Sequence, residues 1–243
     1  MTAVPDVDLS GPSARRGGSE PLKAYLAVPD GDGPWPGVVV LHEIFGMDRV
    51  TRANADRLAR AGYLALAVDL FSQGGARRCL VPTIRAMSAG EGRAYTDIET
   101  ARTWLGADPR CTGRVGVIGF CLGGGFALMT ADSGFDVASA NYGHLPPDPE
   151  ATLAGACPIV ASFGGRDRTL RGAAARLETA LTQVGVVHDV KEYPTAGHAF
   201  CTPAEAFPRP VRPVLRVAGI GADPAAAADA WRRIESFFAE HLA

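Results

Sequence analysis

Hydrophobic positions along the chain follow two alternating patterns. Val38 to Leu41, Leu64 to Val68, Val115 to Ile118 and Ile159 to Phe163 are short, nearly unbroken apolar runs. A strand that is apolar on both faces lies inside a parallel sheet, so these runs predict the centre of one. Between them the period becomes helical. Within Glu91 to Gly106, Ala94, Ile98, Ala101 and Leu105 fall on one face, and Trp231, Ile234, Phe238 and Leu242 do the same for a C-terminal helix. Val137 to Asn141 and Val186 to Tyr193 are weaker strand candidates. Ahead of them, Val7 to Leu9 and Leu22 to Val28, separated by a Gly/Ser/Arg turn, predict an antiparallel start.

Right-handed crossovers turn this order into an α/β fold, a mostly parallel, doubly wound sheet with an antiparallel N-terminal edge. The reading is a single domain over residues 1–243, with 1–20 a loosely ordered arm. Phe71 to Gly90 and Thr202 to Pro224, each about twenty residues with scattered Gly and Pro, read as long loops of the lid or binding type that carry short helices.

Composition narrows the function. Hydrophobic residues at 47% and charged residues at 21% exclude a disordered chain, and no apolar run reaches the length of a membrane span. A net charge of −2 leaves no basic stripe for nucleic acid. The N-terminal segment lacks an apolar signal core, which predicts a cytoplasmic address. Five scattered cysteines without a C-x-x-C pair predict reduced thiols and no metal site.

The strongest chemical signal is Gly119-Phe120-Cys121-Leu122-Gly123-Gly124-Gly125, which follows a predicted strand and precedes the apolar stretch Phe126 to Ala131. It has the form of a nucleophile elbow, G-x-S-x-G, with cysteine in place of serine. A lone cysteine reads first as a small buried hydrophobe; this setting reverses the preference. An acid and a histidine follow in the required order. Asp167 comes after the strand Ile159 to Phe163, where it could instead cap a helix or pair with Arg166 or Arg168. His198 comes after Val186 to Tyr193.

A further group, His42-Glu43-Ile44-Phe45-Gly46, directly follows the strand Val38 to Leu41. This loop supplies half of an oxyanion hole in such folds, so the Ile44 amide is expected to act with that of Leu122. Glu43 reads as either a solvated carboxylate or one set beside Cys121, where it would disfavour the thiolate until substrate arrives. With Gly at position 46, His42-Glu43 does not begin a zinc motif.

Glu43-Ile44-Phe45-Gly46, Gly119-x-Cys121-x-Gly123-Gly124, Asp167 and Ala196-Gly197-His198-x-Phe200 together resemble the dienelactone hydrolase (carboxymethylenebutenolidase) family. Asn141-Tyr142-Gly143 and Asp97-Ile98-Glu99 also resemble it, and the likeness spans roughly residues 20 to 200. It implies an α/β-hydrolase fold, a triad of Cys121, His198 and Asp167, no cofactor, and a Glu43 that pairs with the resting thiol. The implied substrates are unsaturated lactones bearing a carboxylate, met in aromatic catabolism. The sequence departs from the family where an arginine that grips this carboxylate is expected, for Thr202 stands there. The resemblance places a second arginine of the family in the segment of Arg77 and Arg78, and Arg209 or Arg212 is the candidate to supply the lost charge, since guanidinium is the usual carboxylate clamp.

The expectation is therefore a cysteine-dependent hydrolase of a small-molecule ester or lactone, acting as a monomer or small homo-oligomer with no nucleic-acid or membrane partner. A general carboxylesterase or thioesterase is the alternative within the fold. A non-catalytic ligand-binding or thiol redox-sensing protein is the alternative outside it.

Overall fold

The computed structural model describes residues 6–207, 210, 215 and 219–242. Its strands are β1 (Asp6–Asp8), β2 (Lys23–Ala27), β3 (Trp35–Leu41), β4 (Leu64–Val68), β5 (Cys111–Phe120), β6 (Val137–Asn141), β7 (Ile159–Gly164) and β8 (His188–Tyr193). They form one sheet in the order β1-β2-β4-β3-β5-β6-β7-β8. The β1–β2 and β2–β4 pairs are antiparallel and the remaining pairs parallel, as the apolar pattern predicts. All five residues of β4 and all five of β6 are buried. The weak signal of β6 has a local cause: its sequence, Val-Ala-Ser-Ala-Asn, is made of small residues that fit under a closely packed helix.

The helices are α1 (Ser10–Ala14), α2 (Arg49–Arg60), α3 (Ala76–Ala89), α4 (Arg93–Gly106), α5 (Leu122–Met129), α6 (Pro149–Leu153), α7 (Ala173–Val184) and α8 (Pro224–Leu242). The apolar faces predicted for α4 and α8 are the buried ones. No helix among the described residues is long and apolar enough to cross a membrane.

Two expectations need correction, one for Phe71 to Gly90 and one for the leading arm. Much of Phe71 to Gly90 is a single 14-residue helix, α3, rather than a loop with short helices. Pro82 sits inside it and removes one amide, but Gly75 and Gly90, both at positive φ, mark its ends, and Cys79 and Thr83 turn inward to anchor it. In the second stretch, the described residues hold a 3-10 turn at Ala204–Ala206 before α8 begins. Residues 6–20 of the leading arm are tied down. The buried carboxylate of Asp97, on α4, accepts hydrogen bonds from Ser13 Oγ (2.7 Å), the Ser19 amide (2.7 Å) and Ser19 Oγ (2.6 Å).

At the other edge Arg233, on α8, holds the sheet. Its Nε donates to Asp189 Oδ2 (2.9 Å), and its guanidinium also reaches Ser162 Oγ (3.1 Å) and the Asp189 carbonyl (2.9 Å). The loops after β3, β5, β6, β7 and β8 all open at the carboxyl end of the parallel strands, where open α/β sheets gather their functional groups.

Replacing Asp97 leaves three buried donors without an acceptor. Asp97→Ala is expected to cost about 2–4 kcal/mol in urea unfolding and to make residues 6–20 the first site of proteolytic nicking. Unchanged cleavage of this segment would rule out the anchor.

Candidate active site

The turn from β5 into α5 is built from backbone packed against backbone. Cys121 is the N-cap of α5, at a φ of 53°, and its amide donates to the Asn141 carbonyl at 3.0 Å. A non-glycine residue at positive φ is strained, and such strain collects at functional sites. Glycine on either side makes the turn possible. A Cβ on Gly119 would collide with the Gly123 carbonyl, one on Gly123 with the Leu41 carbonyl, and one on Gly124 would come within 2.7 Å of the Asn141 carbonyl.

The structure brings Cys121, His198 and Asp167 together. His198 Nδ1 donates to Asp167 Oδ2 at 2.6 Å, and its Nε2 lies 3.1 Å from Cys121 Sγ. The other Asp167 oxygen accepts from the Thr169 amide (2.9 Å) and Thr169 Oγ1 (2.7 Å), so the carboxylate is held on both sides. The backbone of His198 is equally constrained. Its amide donates to the Gly219 carbonyl (2.7 Å), its carbonyl accepts from the Gly221 amide (2.9 Å), and the next residue, Ala199, has a φ of 58°. The ring packs edge-on against Tyr142 at 5.3 Å between centroids.

Electrostatics follow from these contacts. Burial acts to lower the His198 pKa, but the hydrogen bonds to Asp167 and Cys121 outweigh it, and the imidazole is pushed up to about 10. Burial pushes Asp167 the other way, yet His198 and Thr169 hold it below the usual carboxylate range.

Glu43 has hydrogen-bond partners other than the thiol that the family resemblance implies. Its Oε1 accepts hydrogen bonds from Thr202 Oγ1 (2.7 Å) and the Tyr142 hydroxyl (3.0 Å), while the sulfur of Cys121 is engaged by His198. Burial raises the Glu43 pKa; Thr202, Tyr142 and His198 partly offset it. Tyr142 and Thr202 are the site residues that sequence reasoning misses. Thr202 stands out only as a missing arginine, and Tyr142, at a φ of 42° after β6, only as part of Asn141-Tyr142-Gly143.

The amides of Ile44 and Leu122 have no backbone acceptor among the described residues. The arginines expected at the site fall into two groups. Arg77 and Arg78 are exposed in the first turn of α3, because that helix turns Cys79 and Thr83 inward. No hydrogen bond among the described residues joins either arginine to Glu43, Cys121, Asp167 or His198. Arg209 and Arg212 lie outside the described residues. Among the described residues no group of three or more His, Cys, Asp or Glu side chains is arranged to hold a metal ion.

Known proteins share this arrangement of sequence and fold. The model of the dienelactone hydrolase family matches residues 22–242. A protein of Methylorubrum extorquens assigned as a carboxymethylenebutenolidase is 29% identical over 238 residues, 90% of this chain and 77% of its own length. The carboxymethylenebutenolidase of Pseudomonas putida is 29% identical over 186 residues, 69% of this chain and 75% of its own. A crystal structure from Klebsiella pneumoniae, of a protein assigned as a dienelactone hydrolase, superposes with a TM-score of 0.78 at 26% identity, covering 97% of this chain and 98% of that one. The sheet order, the elbow and the match from β2 to α8 agree on one assignment: this α/β-hydrolase chain belongs to the dienelactone hydrolase family.

Proposed function

We propose that this carboxylic ester hydrolase uses Cys121 as its nucleophile and opens ester or lactone bonds through a thioester. The observation that carries the reading is the continuous chain from Asp167 through His198 to Cys121, at 2.6 and 3.1 Å. The contact between His198 Nε2 and Cys121 Sγ lets the ring hold the proton given up by the thiol, which leaves sulfur as the thiolate, the reactive form of cysteine. The thiolate sulfur bonds to the substrate carbonyl carbon, and the electron pair of the C=O bond moves onto oxygen, held by the Ile44 and Leu122 amides. As the C=O bond re-forms, the C–O bond to the leaving group breaks, and that oxygen takes the proton from His198 Nε2. In a lactone the leaving oxygen stays tethered to the acyl group. Water then gives its proton to His198 and attacks the thioester, and Cys121 departs as the thiolate.

Beside this chain Glu43 accepts hydrogen bonds from Tyr142 and Thr202, and these together with His198 favour its charged form against the effect of burial. The substrate is a small molecule, with dienelactone-type lactones of aromatic catabolism the leading class. A broader carboxylesterase or thioesterase activity is favoured by one specific observation. Thr202, where the family resemblance implies an arginine, spends its hydroxyl on Glu43 and offers no cation to a substrate carboxylate. Five free cysteines suit a reducing, cytoplasmic setting.

Cys121→Ala is expected to lower kcat/KM on a dienelactone and on a neutral aryl acetate by on the order of 10⁴-fold or more, and mass spectrometry of a slow ester should find the acyl group on Cys121. Equal rates in both proteins, or an adduct elsewhere, would remove this nucleophile. Preference for the lactone separates the leading substrate class from the broader one.

A pH dependence also follows. Folded His198 keeps its proton to about pH 10, whereas an unfolded histidine releases it near pH 6.5. The charged pairing therefore stabilises the fold in full below about pH 6.5, and that contribution is lost as pH rises through about 10. Asp167→Asn is expected to cost more stability in urea at about pH 6 than at about pH 9. A cost independent of pH would contradict the charged pair.

A further inference from the structure

His42 lies outside the reactive chain, yet it is 1% exposed and hydrogen-bonded at both ring nitrogens. Its Nε2 faces the Leu70 amide at 3.1 Å, a group that can only donate. Nε2 is therefore the acceptor, and the ring proton sits on Nδ1. That nitrogen lies 2.6 Å from the Glu43 carbonyl oxygen, which can only accept. The Asp69 carboxylate lies further from Nε2, at 3.6 Å, and burial outweighs its pull on a second proton, so the ring is the neutral Nδ1–H tautomer. Packing agrees, since Phe71 meets the ring edge-on at 4.6 Å between centroids.

The consequence passes through a single peptide plane. In a trans peptide the carbonyl of one residue and the amide of the next point in opposite directions. The Glu43 carbonyl is held by His42 Nδ1 and also by the Gly46 amide at 3.2 Å, which closes the turn. Fixing that carbonyl fixes the Ile44 amide on the opposite side, where it has no backbone acceptor among the described residues. The backbone of His42 does a second job. Its carbonyl accepts from the Gly123 amide at 3.2 Å, in the first turn of α5 beside Leu122.

We propose that His42 is a positioning residue of the oxyanion hole: its ring aims the Ile44 amide, and its carbonyl ties that loop to the turn carrying the Leu122 amide. The inference rests on the reading of Cys121 as nucleophile and of these two amides as the oxyanion donors. It makes His42 matter only for steps in which a carbonyl oxygen gains charge.

Alkylation of Cys121 by iodoacetamide displaces iodide and creates no such oxyanion, so it separates the two effects. His42→Leu removes the Nδ1 donor, whereas His42→Asn keeps an N–H near the Nδ1 position. His42→Leu is expected to lower kcat/KM for an aryl acetate by about 10- to 100-fold, to leave the alkylation rate of Cys121 within about twofold, and His42→Asn should recover most of the loss. Full acylation in His42→Leu, or a parallel fall in acylation and alkylation, would overturn the proposal. Should His42→Leu fail to fold, His42→Gln serves in its place, with its amide carried one carbon further from Glu43. Acylation about tenfold below His42→Asn at equal alkylation supports the proposal, and equal acylation overturns it. If Cys121→Ala retains turnover, the nucleophile reading has failed instead, whatever the His42 variants do.

Discussion

The first turn of α5 rests directly on the carboxyl ends of β3 and β6, and no side chain fits between them. Gly123 faces the Leu41 and His42 carbonyls, Gly124 faces the Asn141 carbonyl, and Gly143 faces the backbone of Gly124 and Gly125. Glycine in the interior of a helix is unfavourable by up to about 1 kcal/mol per residue, and the close backbone approach is what it makes possible. The rest of the site depends on this contact. It sets the strained conformation of Cys121, allows the Gly123 amide to reach the His42 carbonyl, and draws the loops after β3, β5 and β6 to a common point.

Around that point the polar groups restrain one another. Asp167 is satisfied by Thr169 on one oxygen and by His198 on the other, so the histidine meets a carboxylate that has little freedom to move. Tyr142 stacks edge-on against both His198 and Phe200 and still donates its hydroxyl to Glu43. A buried carboxylate without donors is costly, and two hydroxyls supply them here. The position of Glu43 is thus decided by Tyr142 and Thr202.

Membership of the dienelactone hydrolase family accounts for the shared frame, and the departures lie in the groups that surround the reactive chain. Threonine at position 202 is a neutral donor, and it engages the carboxylate of Glu43. Arg77 and Arg78 are presented to solvent by the first turn of α3.

The sequence by itself determines the strands of the parallel core, the elbow and the order of acid and histidine after it. Each of these is written in local pattern: unbroken apolar runs for buried strands, glycines flanking Cys121, and loop residues that directly follow a strand. α3 is less legible, because Pro82 and the bordering glycines mask a helix that its contacts with α4 and α5 sustain. The partners of Glu43 and Asp97 are beyond local pattern altogether. Thr202 and Tyr142 lie 159 and 99 residues from Glu43, and Ser13 lies 84 residues from Asp97. Which hydroxyl meets which carboxylate depends on how distant loops converge at one end of the sheet, and only the tertiary structure decides that convergence.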